Sequence, residues 1–503
     1  MSDHRTIRLV STLVIAGLAA TGCSFVLDKN ENQCTVDADC DHFGSHPSCQ
    51  AGVCVASGLG PPGCFFGTPT TQDQFANQCT TAHTFQFDNC ARLGRCDDAS
   101  LTTAFSTSVP PANLGTVPPS NITELPPTTA CSSAGSNLIY VTGSTNLPPL
   151  LKAVQPLLYA SNPPYVAVFA PQTSCKGAAS IYDADQTKHL IKDTQNNWAF
   201  YYDTNNNQVL CNLVTTGNTV DVGESDVYPS SCNSSYDPTL IPNVADYPGP
   251  IQAIVFAVPS ASQQTSISAE AAHLVFAAGG DNGKTVPWTD PQAYFIRSSG
   301  TGTIQLPSRA LGMDATAWWG IDRLSAENLV ASMEAIDPNL AEKGIGLLSS
   351  DFADRNRANL RELAFQQRGQ RYGYLADSTL ESLDKVNVRD GHYPIWGAIH
   401  LLAQTVNGVP SDAAKALITQ FTVPKLDENL VSAIIGAGFV PTCAMKVMHS
   451  VEVGPLTAYQ PSFGCGCFFD KKATGTTTCK SCTSVSDCPS SAPACNYGYC
   501  EKQ

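Results

Sequence analysis

Residues Val286–Thr303 read VPWTDPQAYFIRSSGTGT. The run Ala293–Arg297, AYFIR, has the length and aromatic content of a short buried strand, and the Asp-Pro ahead of it signals a turn. The strand runs out into RSSGTGT, Arg297–Thr303, an arginine and then only glycine, serine and threonine. So little side-chain bulk buries almost no apolar surface, so packing does not explain the segment. A bare backbone beside a guanidinium suits an oxyanion. Glycine permits close approach, hydroxyls donate, and arginine presents a fixed fork of donors.

Outward from this stretch, further apolar runs read as strands: Asn137–Gly143, Tyr165–Ala170, Thr219–Gly223 and Ile251–Val258. Helical patterns fall at Asn146–Ala160, Ser268–Ala278, Ser325–Ile336, Asp351–Gln367, Ser411–Phe421 and Asp427–Gly436. Strands alternating with helices over more than 300 residues predict an α/β protein with mostly parallel sheets, enough for two lobes. Two more loops resemble RSSGTGT in composition: TGST, Thr142–Thr145, and GESD, Gly223–Asp226. A helix N-terminus carries free N–H donors and partial positive charge, so such loops bind oxyanions where they open helices. Asp226 is the odd member. A carboxylate repels an anion unless the ligand brings a proton for it to accept, which selects protonated phosphate over ionised sulfate. SCKG, Ser174–Gly177, offers another donor loop, but Cys175 reads first as a disulfide partner, so the loop stays outside the predicted site.

In this order, YVTGSTNLPPLLKA, VDVGESDV and VPWTDPQAYFIRSSGTGT resemble the substrate-binding proteins of phosphate ABC transporters. The strongest part is a W-x-D-P turn and a strand leading to R-x-x-x-S-G-T, here with Thr301 in place of serine. SISAEAAHLVFAAG, Ser266–Gly279, resembles the family helix before that turn, and GHYPIWG, Gly391–Gly397, the return to the first lobe. The resemblance spans about residues 136–460. It implies a class II periplasmic-binding-protein fold, two α/β lobes joined by a crossover hinge. It also implies a ligand site of Ser144 and Thr145, Ser225 and Asp226, and Arg297, Thr301, Gly302 and Thr303, with Asp226 as proton acceptor. Glu224, Asp221, a Pro307 expected to interrupt the helix after Thr303, and cysteines at 175, 211, 232 and 443 depart from the family pattern.

Twenty-one cysteines and only 14% charged residues point to an oxidising compartment and a disulfide framework. Arg5 and Arg8, then the apolar run Leu9–Ala20, then LAATGC, resemble a bacterial lipoprotein leader cut before Cys23. The chain is thus expected to be lipid-anchored at Cys23 and extracytoplasmic. Ser24, where the family's inner-membrane retention signal is usually Asp, favours the outer membrane. The expected organisation is a leader over 1–22, a Cys-rich module over 23–60 and a Pro/Thr/Ser-rich linker with cysteines over 61–130. A binding-protein domain is expected over 131–460 (lobe 1 about 131–245 and 391–460, lobe 2 about 246–390), then a Cys-rich module over 461–503. The modules repeat one another, C-x5-C then C-x4-C, and are too short to fold without cross-links.

A net charge of −15 argues against nucleic acid, whose affinity needs a basic face. The sequence has no H-E-x-x-H, and GESDV lacks the final glycine of a nucleophile elbow, so no catalysis, cofactor or metal is expected. The cysteine spacings fit zinc poorly, and the Asp221, Glu224, Asp226 cluster lacks a calcium loop's spacing. These features leave two functions. The first is a monomeric, membrane-anchored solute-binding protein capturing phosphate or a related oxyanion, with an ABC permease as partner. The second is a surface interaction protein that keeps the fold without a ligand.

Overall fold

The computed structural model describes residues 39, 48–50, 53–55, 64–94 and 126–502, apart from 195, 196 and 284. The leader, Cys23, Cys34, Cys40 and most of the linker, including two of its three Pro-Pro pairs, lie outside the described residues. The chain divides into two units, one of 1–69 with 77–79 and one of 70–76 with 80–503. In the first, Ser48–Gln50 and Val53–Val55 form a hairpin, and a Cys64–Cys79 disulfide closes a loop in which Phe65 N donates to Asn77 O.

The second unit is built on a mixed sheet. Its strands are β1 (Leu138–Ser144), β2 (Val166–Gln172), β3 (Ala199–Tyr202), β4 (Gln208–Cys211), β5 (Val222–Ser225), β6 (Val244–Pro259), β7 (Ser266–Ser268), β8 (Tyr294–Ile296), β9 (Ile321–Asp322), β10 (Ile345–Ser349), β11 (Leu360–Gln366), β12 (Trp396–Val406) and β13 (Val409–Pro410). The spatial order is β9-β8-β10-β6-β12-β5-β1-β2-β3-β4, with β11 pairing β6 and β7, and β13 pairing β12. β1 lies parallel to both β2 and β5, and β8 parallel to both β9 and β10.

One strand serves both halves. Residues 244–253 of β6 pair with β12, whereas 254–259 pair with β10 and β11. At the switch, Ile254 N donates to Ile395 O at 2.9 Å and Tyr393 Oη donates to Ile254 O at 2.7 Å. The chain therefore crosses out along β6 and returns through 393–396. These are the two α/β lobes and paired crossovers that the resemblance implied.

Helices α1 (Pro148–Ala160), α2 (Ser174–Tyr182), α3 (Ala269–Gly283), α4 (Gly302–Leu311), α5 (Asp412–Thr422), α6 (Glu428–Gly436) and α7 (Gly466–Thr474) accompany the sheet. Pro148 and Pro149 open α1, where N–H groups lack partners anyway. A continuous core runs from Ile139 and Val141 through Ile251–Phe256 to Phe276, Trp288 and Phe365.

Three sequence expectations fail. The sheet is mixed rather than mostly parallel, because β6 pairs antiparallel with β10, β11 and β12, β12 with β5, and β2 with β3. Asp351–Gln367 is not one helix: helix Ser350–Arg355 is followed by β11. LRELAFQ has helix-forming composition, but β6 and β7 each present an edge to it, and ladder pairing overrides propensity. Pro307 does not end a helix either, because α4 continues through it to Leu311. The missing amide forfeits one bond to the carbonyl four residues earlier, while Ile304, Leu306 and Leu311 bury fully.

At the C-terminus, disulfides Cys482–Cys495 and Cys488–Cys500 close a small hairpin, and Cys467–Cys479 joins it to α7. Cys443–Cys465 then ties this region to the segment after α6, and the Arg389 guanidinium donates to Asp470 at 2.5 Å. Truncating Phe256, fully buried and stacked on both Phe276 and Phe365, removes the aromatic centre beside the crossover. Phe256→Ala is expected to cost about 3–5 kcal/mol in urea unfolding.

Candidate functional site

β1, β2 and β5 are neighbours in the first lobe, so the loops leaving β1 and β2 and the end of β5 open at one edge. The loop after β2 leads into α2, whose N-cap Thr173 accepts from Lys176 N. From the second lobe, β8 leads through Arg297 into the N-terminus of α4 at Gly302.

The elements meet at Asp226. Its Oδ2 accepts from Ser174 Oγ at 2.9 Å and from Asn146 Nδ2 at 3.2 Å, and the Ser144 hydroxyl also reaches the carboxylate. Asn146 Nδ2 additionally donates to Gln252 Oε1 on β6 at 2.9 Å, tying the site to the crossover strand. Gly302 N donates to Ser174 Oγ at 3.0 Å, and Cys175 N to Gly300 O at 3.0 Å, so second-lobe and first-lobe loops touch directly. Glycine is required at 302, since a Cβ there would stand 2.4 Å from Asp226 Cβ. A Cys175–Cys232 disulfide ties the first turn of α2 to the segment after Asp226.

Arg297 is buried, and its Nε has no hydrogen-bond partner. Burial lowers its pKa, while Asp322, Glu327 and Asp226 favour the charge. Asp226 Oδ1 is likewise buried without a partner. Burial pushes the Asp226 carboxyl up, and the hydrogen bonds from Ser144, Ser174 and Asn146 act in the opposite direction. An orphaned guanidinium nitrogen ahead of the α4 N-terminus, in a loop that touches the first turn of α2 through Gly300 and Gly302, supplies donors suited to negative charge.

The predicted residues are only partly gathered. Ser144, Asp226 and Gly302 lie at the junction, and the buried Thr303 follows in the first turn of α4. Thr145 is exposed. Ser225 Oγ turns back on its own loop, donating to Val227 O at 2.7 Å, and Thr301 Oγ1 donates to Ser298 O at 2.8 Å. The TGST loop does not itself open a helix, because α1 begins only at Pro148.

Sequence reasoning missed Ser174 and Asn146. Ser174 carried the same signal as the chosen loops, a strand followed by small residues and a helix. Cys175 is indeed disulfide-bonded, and its neighbour nevertheless points into the junction. Glu224, read as excess charge, is fully buried: Oε2 accepts from Ser144 N at 2.5 Å, and Oε1 is unpartnered. Asp221 serves the sheet, accepting from Tyr140 N at 2.8 Å.

No family model and no curated protein matches the chain. Among solved structures it is similar to an ABC-type phosphate transport receptor from Vibrio cholerae, at 10% identity and a TM-score of 0.39, covering 61% of this chain and 100% of that one. It is also similar to a phosphate-binding protein from Stenotrophomonas maltophilia, at 12% identity and 0.39, covering 61% and 91%. A mutant of OxyR from Corynebacterium glutamicum is similar too, at 11% identity and 0.31, covering 60% and 66%.

Gly143 has φ +152, and a Cβ there would lie 2.1 Å from Glu224 O and 2.7 Å from Glu224 Oε2. Gly143→Ala is therefore expected to displace the Glu224 backbone and to lower stability by about 1–3 kcal/mol in thermal unfolding.

Proposed function

We propose that this chain is an extracytoplasmic solute-binding protein whose lobes close on a tetrahedral oxyanion, phosphate foremost, without catalysing a reaction. The observation that carries the reading is Arg297, a buried guanidinium with an unpartnered Nε, in the segment that leads into the N-terminus of α4. A buried charge with unmet donors is costly unless a partner arrives. On this reading Arg297, Gly302 and Thr303 hold the ligand from the second lobe, and Ser144, Ser174 and Asn146 arrange the first. The disulfides, Cys131–Cys211 and Cys175–Cys232 among them, fit an oxidising compartment. The lipid anchor at Cys23, the domain limits at 131 and 460 and delivery to an ABC permease belong to the same proposal.

A second reading is favoured by one feature. The loops already hydrogen-bond to each other through Ser174, Gly300 and Gly302, so closure does not need a ligand. A surface interaction protein that has kept only the fold would show this.

Thermal unfolding with phosphate, sulfate, arsenate and molybdate separates the two, since a ligand bound only by the native state raises the melting temperature. Phosphate is expected to raise it. Arg297→Ala removes charge-assisted hydrogen bonds worth about 1.5–3 kcal/mol each, so affinity should fall by roughly one to two decades per bond lost. No shift with any oxyanion up to millimolar concentration would leave the interaction-protein reading.

A further inference from the structure

Glu224 is the buried acid that oxyanion capture leaves unused. Its place is fixed by two glycines. A Cβ on Gly143 would stand 2.1 Å from Glu224 O, and one on Gly177 would stand 1.8 Å from the same atom. With Oε2 occupied by Ser144 N, the remaining oxygen, Oε1, is buried without a partner, as is Asp226 Oδ1. Glu224 and Asp226 stand two residues apart, so their side chains leave the strand end on the same face, and both are buried. Carboxylates have only acceptors, so two of them in contact need a proton between them. One hydrogen, carried by Glu224 and given to Asp226, would partner both orphan atoms.

That proton changes what the site asks of a ligand. If Asp226 had its free lone pairs facing the ligand, the ligand would have to supply a hydrogen. Here Ser174, Asn146 and Glu224 satisfy the carboxylate from within the protein, and the donors left over belong to Arg297 and the helix termini. Resting on the oxyanion reading above, we propose that Glu224 is a specificity-determining residue that supplies an internal proton to Asp226, so that the site accepts fully ionised tetrahedral oxyanions, sulfate included, as readily as protonated ones.

The charge balance gives the pH dependence. Asp322 and Glu327 also act on Arg297 and stay constant, so the proton on the pair decides the balance: with it, the site carries one negative charge fewer and an anion enters more readily. Without it, both buried carboxylates are charged, and the added negative charge repels the anion. Burial, then the Asp226 charge, raises the Glu224 pKa well above the ordinary carboxylate range, so the proton is held at mildly acid pH and lost as pH rises. The titratable groups on the packed elements are Tyr140 on β1, Lys176 and Tyr182 on α2, His400 on β12, and Asp221 ahead of β5, with Arg297 from the second lobe. His400 is itself held by Asp246, 2.8 Å away, and its charge favours an ionised Asp226.

Sulfate is the decisive probe, because it does not titrate over this range. In calorimetric titration of the full chain at mildly acid pH, sulfate and phosphate should bind within about tenfold of each other. Sulfate affinity should fall by about tenfold per pH unit once the pair loses its proton. Glu224→Gln keeps an acceptor for Ser144 N and a permanent donor for Asp226, so its sulfate affinity should match the acid-pH value and stay flat with pH. Because Glu362 and Glu452 are also pushed up to about 7, the readout is the difference: a protonated-carboxyl infrared band lost from the Glu224→Gln variant relative to the unmutated protein reads the proton without any ligand. Phosphate binding with sulfate excluded, a flat sulfate profile in the unmutated protein, or an unchanged slope in the variant would each overturn the proposal while leaving oxyanion binding intact. No binding of either anion by either protein at any pH would overturn oxyanion capture and this inference together.

Discussion

The structure turns on Ile254. Its amide reaches the returning chain at Ile395 and its carbonyl receives the Tyr393 hydroxyl, at the point where β6 exchanges β12 for β10 and β11. A strand running through two half-sheets sets where each half begins, so the edges from which the loops rise are fixed relative to one another. The fully buried flanking residues, Ala253 to Val258, hold this point in the core. Everything at the junction of the loops inherits its position from that crossing. Asn146, which bonds Asp226 and Gln252 together, is the direct side-chain link between them.

A buried carboxylate is expensive unless its lone pairs are met. Asp226 draws the loops after β1 and β2 to its Oδ2, and this organises the first lobe's contribution. Glu224 is an unusual neighbour for it, since like charges so close can both persist only where a proton is shared. The glycines at 143, 177 and 302 are the steric counterpart, each leaving no room for a Cβ beside Glu224 or Asp226. Charge and shape are thus specified by the same few residues.

Much of this was legible in the sequence. Strand and helix periods announced an α/β protein, and the bare loops after strands were visible because small residues in that position have no packing role. The first half of β6, VADYPGP, was not legible: with two prolines and a glycine it fell outside the strand read at Ile251–Val258, yet it pairs with β12 across a register shift. β11 was hidden because its residues favour helix and only the edges of β6 and β7 make it a strand. At the site, Ser174 was discounted because its cysteine neighbour already had an explanation. Glu224 was read as repulsion because nothing in a linear sequence says that two acids will share one hydrogen.

The Cys175–Cys232 disulfide gives the junction a history. It joins positions 57 residues apart, tying the Ser174 turn to the segment that leaves Asp226. Closing a loop of that length removes unfolded-chain entropy worth about 4 kcal/mol. A chain still in a reducing environment lacks this tether, and the two loops must find each other unaided. Oxidation therefore belongs to the assembly of the junction, which is completed where the thiols are spent, and a newly made, still reduced chain lacks a finished one.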